Sequence, residues 1–178
     1  MATARGVKAP IRLTGPVAGV LWRTDFSESK RTEVPYEVLD CRLALALHDF
    51  GAVLRAHDIE EVRIFSFWRP PSKRWPRGKI AKRHPGALAV DIRQLRKSTG
   101  QVLDVTRHFG GKIGEETCGP SAQAPSPLTP EARELRSIVC EAADARLFNS
   151  ILTPNYDRPH FNHFHMEVAA GVRWLIVR

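Results

Sequence analysis

Two short stretches of this chain carry residue types that can bind a metal ion together. The first is His84-Pro-Gly-Ala-Leu-Ala-Val-Asp91, and the second is His160-Phe-Asn-His163-Phe-His165-Met-Glu167. Imidazole and carboxylate suit Zn²⁺, and a catalytic zinc takes three protein ligands and leaves a fourth position for water. His84, Asp91 and His165 supply such a set, so the sequence points to a hydrolase.

Local elements must position these groups. In a strand, residues i, i+2 and i+4 share one face. His163, His165 and Glu167 then point one way, while Phe164, Met166 and Val168 point into a core. Two imidazoles on one face can place one on a metal and the other beside its water. A solvated polar strand face has the same pattern, so the weight comes from the pairing with His84 and Asp91. His160 lies outside the alternation and could close the site from a loop. In the first stretch Leu88, Val90 and Ile92 alternate with Ala89, Asp91 and Arg93. That predicts a strand with Asp91 facing outward, although a hairpin strand with one exposed Asp reads alike. His84 precedes it beside Pro85-Gly86, a turn signal.

The other elements are read from periodicity. Val38–His57 has helical spacing through Leu39, Leu43, Ala46, Leu47, Phe50 and Leu54, weakened slightly by Gly51. Glu61–Trp68 alternates as a strand. Leu88–Leu95 and Gln101–Val105 predict a hairpin across Lys97–Gly100. Thr129 as N-cap and Pro130 in the first turn open a helix running to about Arg146. Phe161–Ala169 and Val172–Val177 read as late strands, and residues 106–128 as a long loop, often functional in a compact domain. The expected fold is a single α+β domain over residues 36–178, an antiparallel sheet with helices packed on one face. Residues 1–35 read only as an extended arm.

Combined in this order, the motifs resemble the zinc peptidases of bacterial cell-wall peptides. These include D-alanyl-D-alanine carboxypeptidases, vancomycin-resistance D,D-dipeptidases and penicillin-insensitive murein endopeptidases. The resemblance is closest to the extensin-like C-terminal domain family and covers roughly Cys41 to Val168. The family pattern is Ser-x-His-x-x-Gly-x-Ala-x-Asp followed by His-x-His. His84, Ala89 and Asp91 fit it, while Lys82 stands at the Ser position and Ala87 at the Gly position, with Gly86 one place early. Thr153-Pro-Asn-Tyr156 with His160 and His163-Phe-His165 is similar to the extensin-like signature. Ser66-Phe-Trp-Arg69-Pro70 is similar to the family's segment upstream of the first ligand.

The resemblance implies the same architecture and a zinc peptidase acting on peptidoglycan peptides, periplasmic or secreted. His84, Asp91 and His165 would hold zinc, and His163 would be the general base. Arg69 would stabilise the oxyanion or hold a substrate carboxylate, and His160 would donate a hydrogen bond in the pocket. Glu167 could orient a ligand imidazole or simply be exposed. A non-catalytic domain that binds cell wall or another polyanion is the alternative. Of the remaining histidines, His48 and His57 fall on the first helix, and His108 in the long loop could border the cleft.

Composition bounds these readings. The chain has 178 residues, 43% of them hydrophobic, enough for a core. No apolar run approaches the roughly eighteen residues of a membrane span. No signal peptide is visible, since Pro16–Trp22 is short and lacks a cleavage site. The net charge is +8. Lys73, Arg74, Arg77, Lys79, Lys82 and Arg83 cluster just before His84, around Trp75. Such a stretch suits an anionic cell-wall polymer or is a solvated loop. No helix-turn-helix, zinc-finger or RNA-binding signature favours nucleic acid. Three cysteines are too few for a disulfide framework. A Cys118–Cys140 bridge would tie down Gly119–Leu128, or all three thiols are reduced, and Cys41 is expected on an apolar helix face.

Overall fold

Alternating apolar and polar residues build a seven-stranded sheet around one long central strand. The computed structural model describes residues 4–178 except 77, 170 and 173. In chain order the elements are β1 (Pro10–Arg12), β2 (Leu21–Arg23), α1 (Glu28–Glu33), β3 (Val38–Asp40) and α2 (Cys41–Ala56). There follow β4 (Ile59–Ile64), β5 (Ala89–Lys97), β6 (Val102–Asp104), α3 (Val105–His108) and α4 (Pro130–Asp144). The chain ends with β7 (Ser150–Leu152), β8 (Phe164–Glu167) and β9 (Ile176–Val177).

The sheet runs β2-β4-β5-β8-β7-β9, with β6 also on β5. Its centre is antiparallel, but β2 joins β4 in parallel and β9 joins β7 in parallel. The sheet is therefore mixed, which corrects the purely antiparallel expectation. The error has a physical source: both parallel strands are edge strands of two or three residues, too short to show a period. The first 35 residues also do more than form an arm. They hold β2 of the main sheet, and β1, which pairs antiparallel with β3 in a separate two-stranded sheet.

The two long helices follow their apolar spacing, although α2 starts at Cys41, because Val38–Asp40 of the expected helix pair with β1 as β3. α2 buries Leu43, Leu47, Phe50 and Leu54, and α4 buries Leu135, Ile138, Val139 and Ala142. Both stripes share one core with Val62, Ile64, Val90, Ile92, Phe164 and Met166 of the sheet. The residues between those on β5 and β8 therefore face away from the helices. Thr129 Oγ1 accepts from the Ala132 amide at 3.1 Å, the cap expected for α4. Cys41 is exposed at the start of α2 and does not lie on its apolar face.

Asp40 caps α2 and ties three segments together. It accepts from the Arg42 amide, from the Arg42 guanidinium and from the Ala9 amide. Burial pushes its carboxyl upward, but these donors outweigh burial and hold it below the usual carboxylate range. Glu61, held by Arg23 and Arg63, and Asp104, held by Gln94 and Arg107, are lowered likewise against burial. A carboxyl lowered in the fold contributes stability above its unfolded pKa of about 4, and that stability is lost as pH falls. The melting temperature should thus drop progressively below about pH 4, and Asp40→Asn should flatten part of the drop. An unchanged Tm between pH 6 and 3 would contradict this.

The long loop after α3 is pinned by the Cys118–Cys140 disulfide, whose partners are 22 residues apart in sequence. Arg136 of α4 donates to the carbonyls of Gly110 and Gln123 in the same loop. Loop closure of that size stabilises by about 3 kcal/mol in the chain-entropy view. Thiol titration of unreduced, denatured protein should find one free thiol, Cys41; three would reject the bridge.

Candidate metal centre

Asp91 and His165 are direct cross-strand partners on β5 and β8. Their chain neighbours Val90, Ile92, Phe164 and Met166 are locked in the core, so both polar side chains must emerge on the helix-free face. His84 reaches the same face from a short 3₁₀ turn, His84–Gly86. That turn is held from several sides. The Arg69 amide donates to the His84 carbonyl, and the Asp40 amide to the Ala87 carbonyl. A Cβ on Gly86 would lie 2.3 Å from the Ala81 carbonyl oxygen, so only glycine fits there. The N-terminal segment closes over the turn: the Ala81 amide donates to Gly6, and Trp68 Nε1 to the Arg5 carbonyl at 3.4 Å. Ala4 and Val7 pack against Trp68 and Ala87.

Three ligand atoms converge. His84 Nε2 is 2.9 Å from Asp91 Oδ1 and 3.2 Å from His165 Nδ1, and His165 Nδ1 is 3.0 Å from Asp91 Oδ1. All three residues are buried. Among the described residues they form the group of His, Cys or acidic side chains whose ligand atoms all lie within 4.8 Å of one another. Their outer partners decide which nitrogens are bare. His84 Nδ1 lies 2.9 Å from the Phe67 carbonyl, which can only accept, so Nδ1 carries the proton and Nε2 is a lone pair. His165 Nε2 lies 3.2 Å from Glu167 Oε2, which likewise claims a proton and leaves Nδ1 as the inner nitrogen.

A neutral cluster would therefore crowd lone pairs against one carboxylate oxygen. A proton on His165 or a metal ion would relieve this crowding. The titration directions agree. Burial would lower His165, but Asp91 and Glu167 outweigh it and raise its pKa. Burial is the main cause that lowers His84 and keeps it neutral. Burial opposes the charge of Asp91, but the His163, His165 and His84 rings gathered around it outweigh burial and hold its carboxyl far below the usual range. Two neutral imidazoles and one carboxylate, oriented by a carbonyl and a second carboxylate, form a donor set that fits zinc.

The other expected site residues gather here too. His163 Nε2 is 3.4 Å from Asp91 Oδ1, beside the cluster, and its Nδ1 bonds Asn162 Oδ1 at 2.8 Å. The ring stands edge-on to Phe65. His160 stacks near both neighbours, with ring centroids 5.1 Å from His163 and 5.6 Å from His165. Arg69 donates from Nη2 to Asp91 Oδ2 at 2.9 Å and is half exposed. It thus steadies the carboxylate ligand while its outer side remains open to the cleft. Glu167 also takes Arg83 Nε at 3.3 Å.

Sequence reasoning missed several supports. The Phe67 carbonyl has no side-chain signal. Asp157 holds His160 Nδ1 at 2.5 Å and caps the turn Arg158–His160; an Asp three residues before a His was the available cue. A buried cluster of Thr117, Thr153 and Asn155 joins the long loop to the Thr153–Tyr156 turn that leads into His160. That gives the loop a bracing role in the site. Outside the site, His57 pairs with Glu134 and Glu141 on α4, and His48 is exposed. His108 accepts from the Asp104 amide and lies away from the cleft. Lys73, Arg74, Lys79, Lys82 and Arg83 are exposed on the irregular stretch before His84. Arg77 lies outside the described residues.

The cluster sits in a cleft of about 530 Å³ lined by His84, His160, His165 and Glu167. Among the described residues no helix is long and apolar enough to cross a membrane. No curated protein and no solved structure matches the chain. The family model described as "Extensin-like protein C-terminus" matches residues 28–178, the span that contains Arg69, His84, Asp91, His160, His163 and His165. The chain belongs to the extensin-like C-terminal family.

Proposed function

We propose that this protein is a zinc-dependent peptidase that hydrolyses peptide bonds of bacterial peptidoglycan, in stem peptides or cross-links. One observation carries the reading: two imidazole nitrogens and a carboxylate oxygen converge within 2.9–3.2 Å, with a third imidazole beside them. The order of motifs adds the resemblance to the zinc D-alanyl-D-alanine carboxypeptidases and murein endopeptidases. His84, Asp91 and His165 would hold the zinc, which when bound would supply a nucleophile at neutral pH and a Lewis acid for a carbonyl.

The chain's own groups do the rest. Phe67 and Glu167 fix the two ligand imidazoles in the productive tautomer. His163, with Nδ1 on Asn162, presents Nε2 as the base that takes the proton of the attacking water. His160, held by Asp157, offers Nε2 toward the same space and can hydrogen-bond the substrate. Arg69 holds Asp91 and presents its exposed side to the oxyanion or to a substrate carboxylate. The disulfide fits work outside the cytoplasm, in the periplasm or beyond it.

The second reading, a domain that binds cell wall or another polyanion without cleaving it, is favoured by the exposed basic stretch beside His84. One experiment separates the two. Purified sacculi are digested with the zinc-loaded protein, the products are identified by mass, and the sedimented fraction is weighed against salt. New peptide termini support the peptidase. Salt-sensitive sedimentation with no product, at full zinc occupancy, rejects it in favour of binding.

A further inference from the structure

The ligand cluster does not lie at the blind end of a pocket. Its atoms are divided between two hollows. One, of about 530 Å³, is lined by His84 and His165, and the other, of about 440 Å³, by Asp91 and His163. Arg69, bonded to Asp91, lines both, so the two hollows flank the cluster. Phe26 lines the second hollow and also a third, of about 490 Å³. Space that can seat a chain therefore lies on both sides of the cluster.

The chemistry of the second hollow points the same way. Phe26 and Tyr36 stack there, with centroids 5.9 Å apart and planes 21° apart, and Phe26 is 43% exposed. Ser66 and Asn162 add neutral hydrogen-bonding groups. Its two charged residues, Arg69 and Asp91, bond each other. In the third hollow Arg23 and Arg63 are paired with Glu61, and Arg31 with Glu37. Arg12 is spent on the carbonyls of Arg31 and Val34. An enzyme that removes a terminal residue needs a committed cation one residue from the scissile bond. Beyond Arg69, which lies at the cluster itself, the guanidiniums described on this side are engaged, while a flat aromatic wall invites the uncharged body of a longer chain.

We propose that the site is endo-acting: an extended peptide runs through both hollows, its scissile bond lies over the cluster, and the Phe26–Tyr36 pair holds the segment beyond it. This rests on the peptidase reading above. The test uses the full zinc-loaded chain and two cross-linked peptidoglycan peptides that differ only in a free or an amidated C-terminus. The expected result is cleavage of both at an internal bond, with rates within about threefold of each other, less than 1 kcal/mol apart. Phe26→Ala, a surface change, should raise KM for these substrates by about three- to tenfold, more than it lowers kcat. Release of single C-terminal residues from the free-carboxylate peptide alone would overturn the endo assignment and leave the peptidase standing. Unchanged KM in Phe26→Ala would overturn the aromatic wall. Cleavage of neither peptide, at full zinc occupancy, removes the peptidase reading and this inference with it.

Discussion

His163→Ala should keep its zinc and slow peptide hydrolysis by about 10²–10⁴-fold, the range for loss of a general base. The imidazole stands beside the ligand cluster, with Nε2 3.4 Å from Asp91 Oδ1, while Asn162 engages the other nitrogen. Its removal takes away a proton acceptor and leaves His84, Asp91 and His165 untouched. Because a base acts in the transition state, the loss should fall on kcat more than on KM. Zinc content measured on the same sample makes the result decisive. If His163→Ala loses zinc as badly as His165→Ala, the two imidazoles have exchanged roles.

Asp91→Asn should lose more than activity. The carboxylate faces His84, His163, His165 and Arg69 at once. An amide of the same shape keeps the packing but removes the negative charge and turns one end into a donor. Zinc affinity should fall by more than about 100-fold, beyond the 10–100-fold that loss of an orienting partner costs. Glu167→Gln supplies that comparison, since it leaves the three ligands and alters the group on His165 Nε2, along with its pairing to Arg83. It should fall inside the 10–100-fold range. Competition with a chromophoric chelator measures both. Equal losses in the two variants would mean that Asp91 is not a ligand.

Much of the site is legible in the sequence because strand alternation is a short-range rule. Phe164 and Met166 had to be buried, so His165 had to face the other way, and Val90 and Ile92 fix Asp91 in the same manner. The register that sets Asp91 opposite His165 is a tertiary result, and only the order of motifs hinted at it. Arg69 was singled out by resemblance, yet its grip on Asp91 depends on how residues 65–69 run beside β5, where the Phe65 amide donates to the Asp91 carbonyl. The helices α2 and α4 were plain from their apolar spacing, and α4 also from its cap. The mixed sheet was not, because β2, β7 and β9 offer two or three residues each and no period. The bracing of the His84 turn by Arg5 and Gly6 runs through backbone carbonyls, which leave no mark on residue type.

X-ray absorption at the zinc edge of the zinc-loaded chain tests the central claim most directly. The account predicts about one zinc per chain with only nitrogen and oxygen neighbours at about 2.0–2.2 Å, including two imidazoles. His165→Ala should remove one imidazole from that shell or the metal altogether. A chain that stays metal-free with its fold intact, or a zinc with sulfur neighbours at about 2.3 Å, would contradict it.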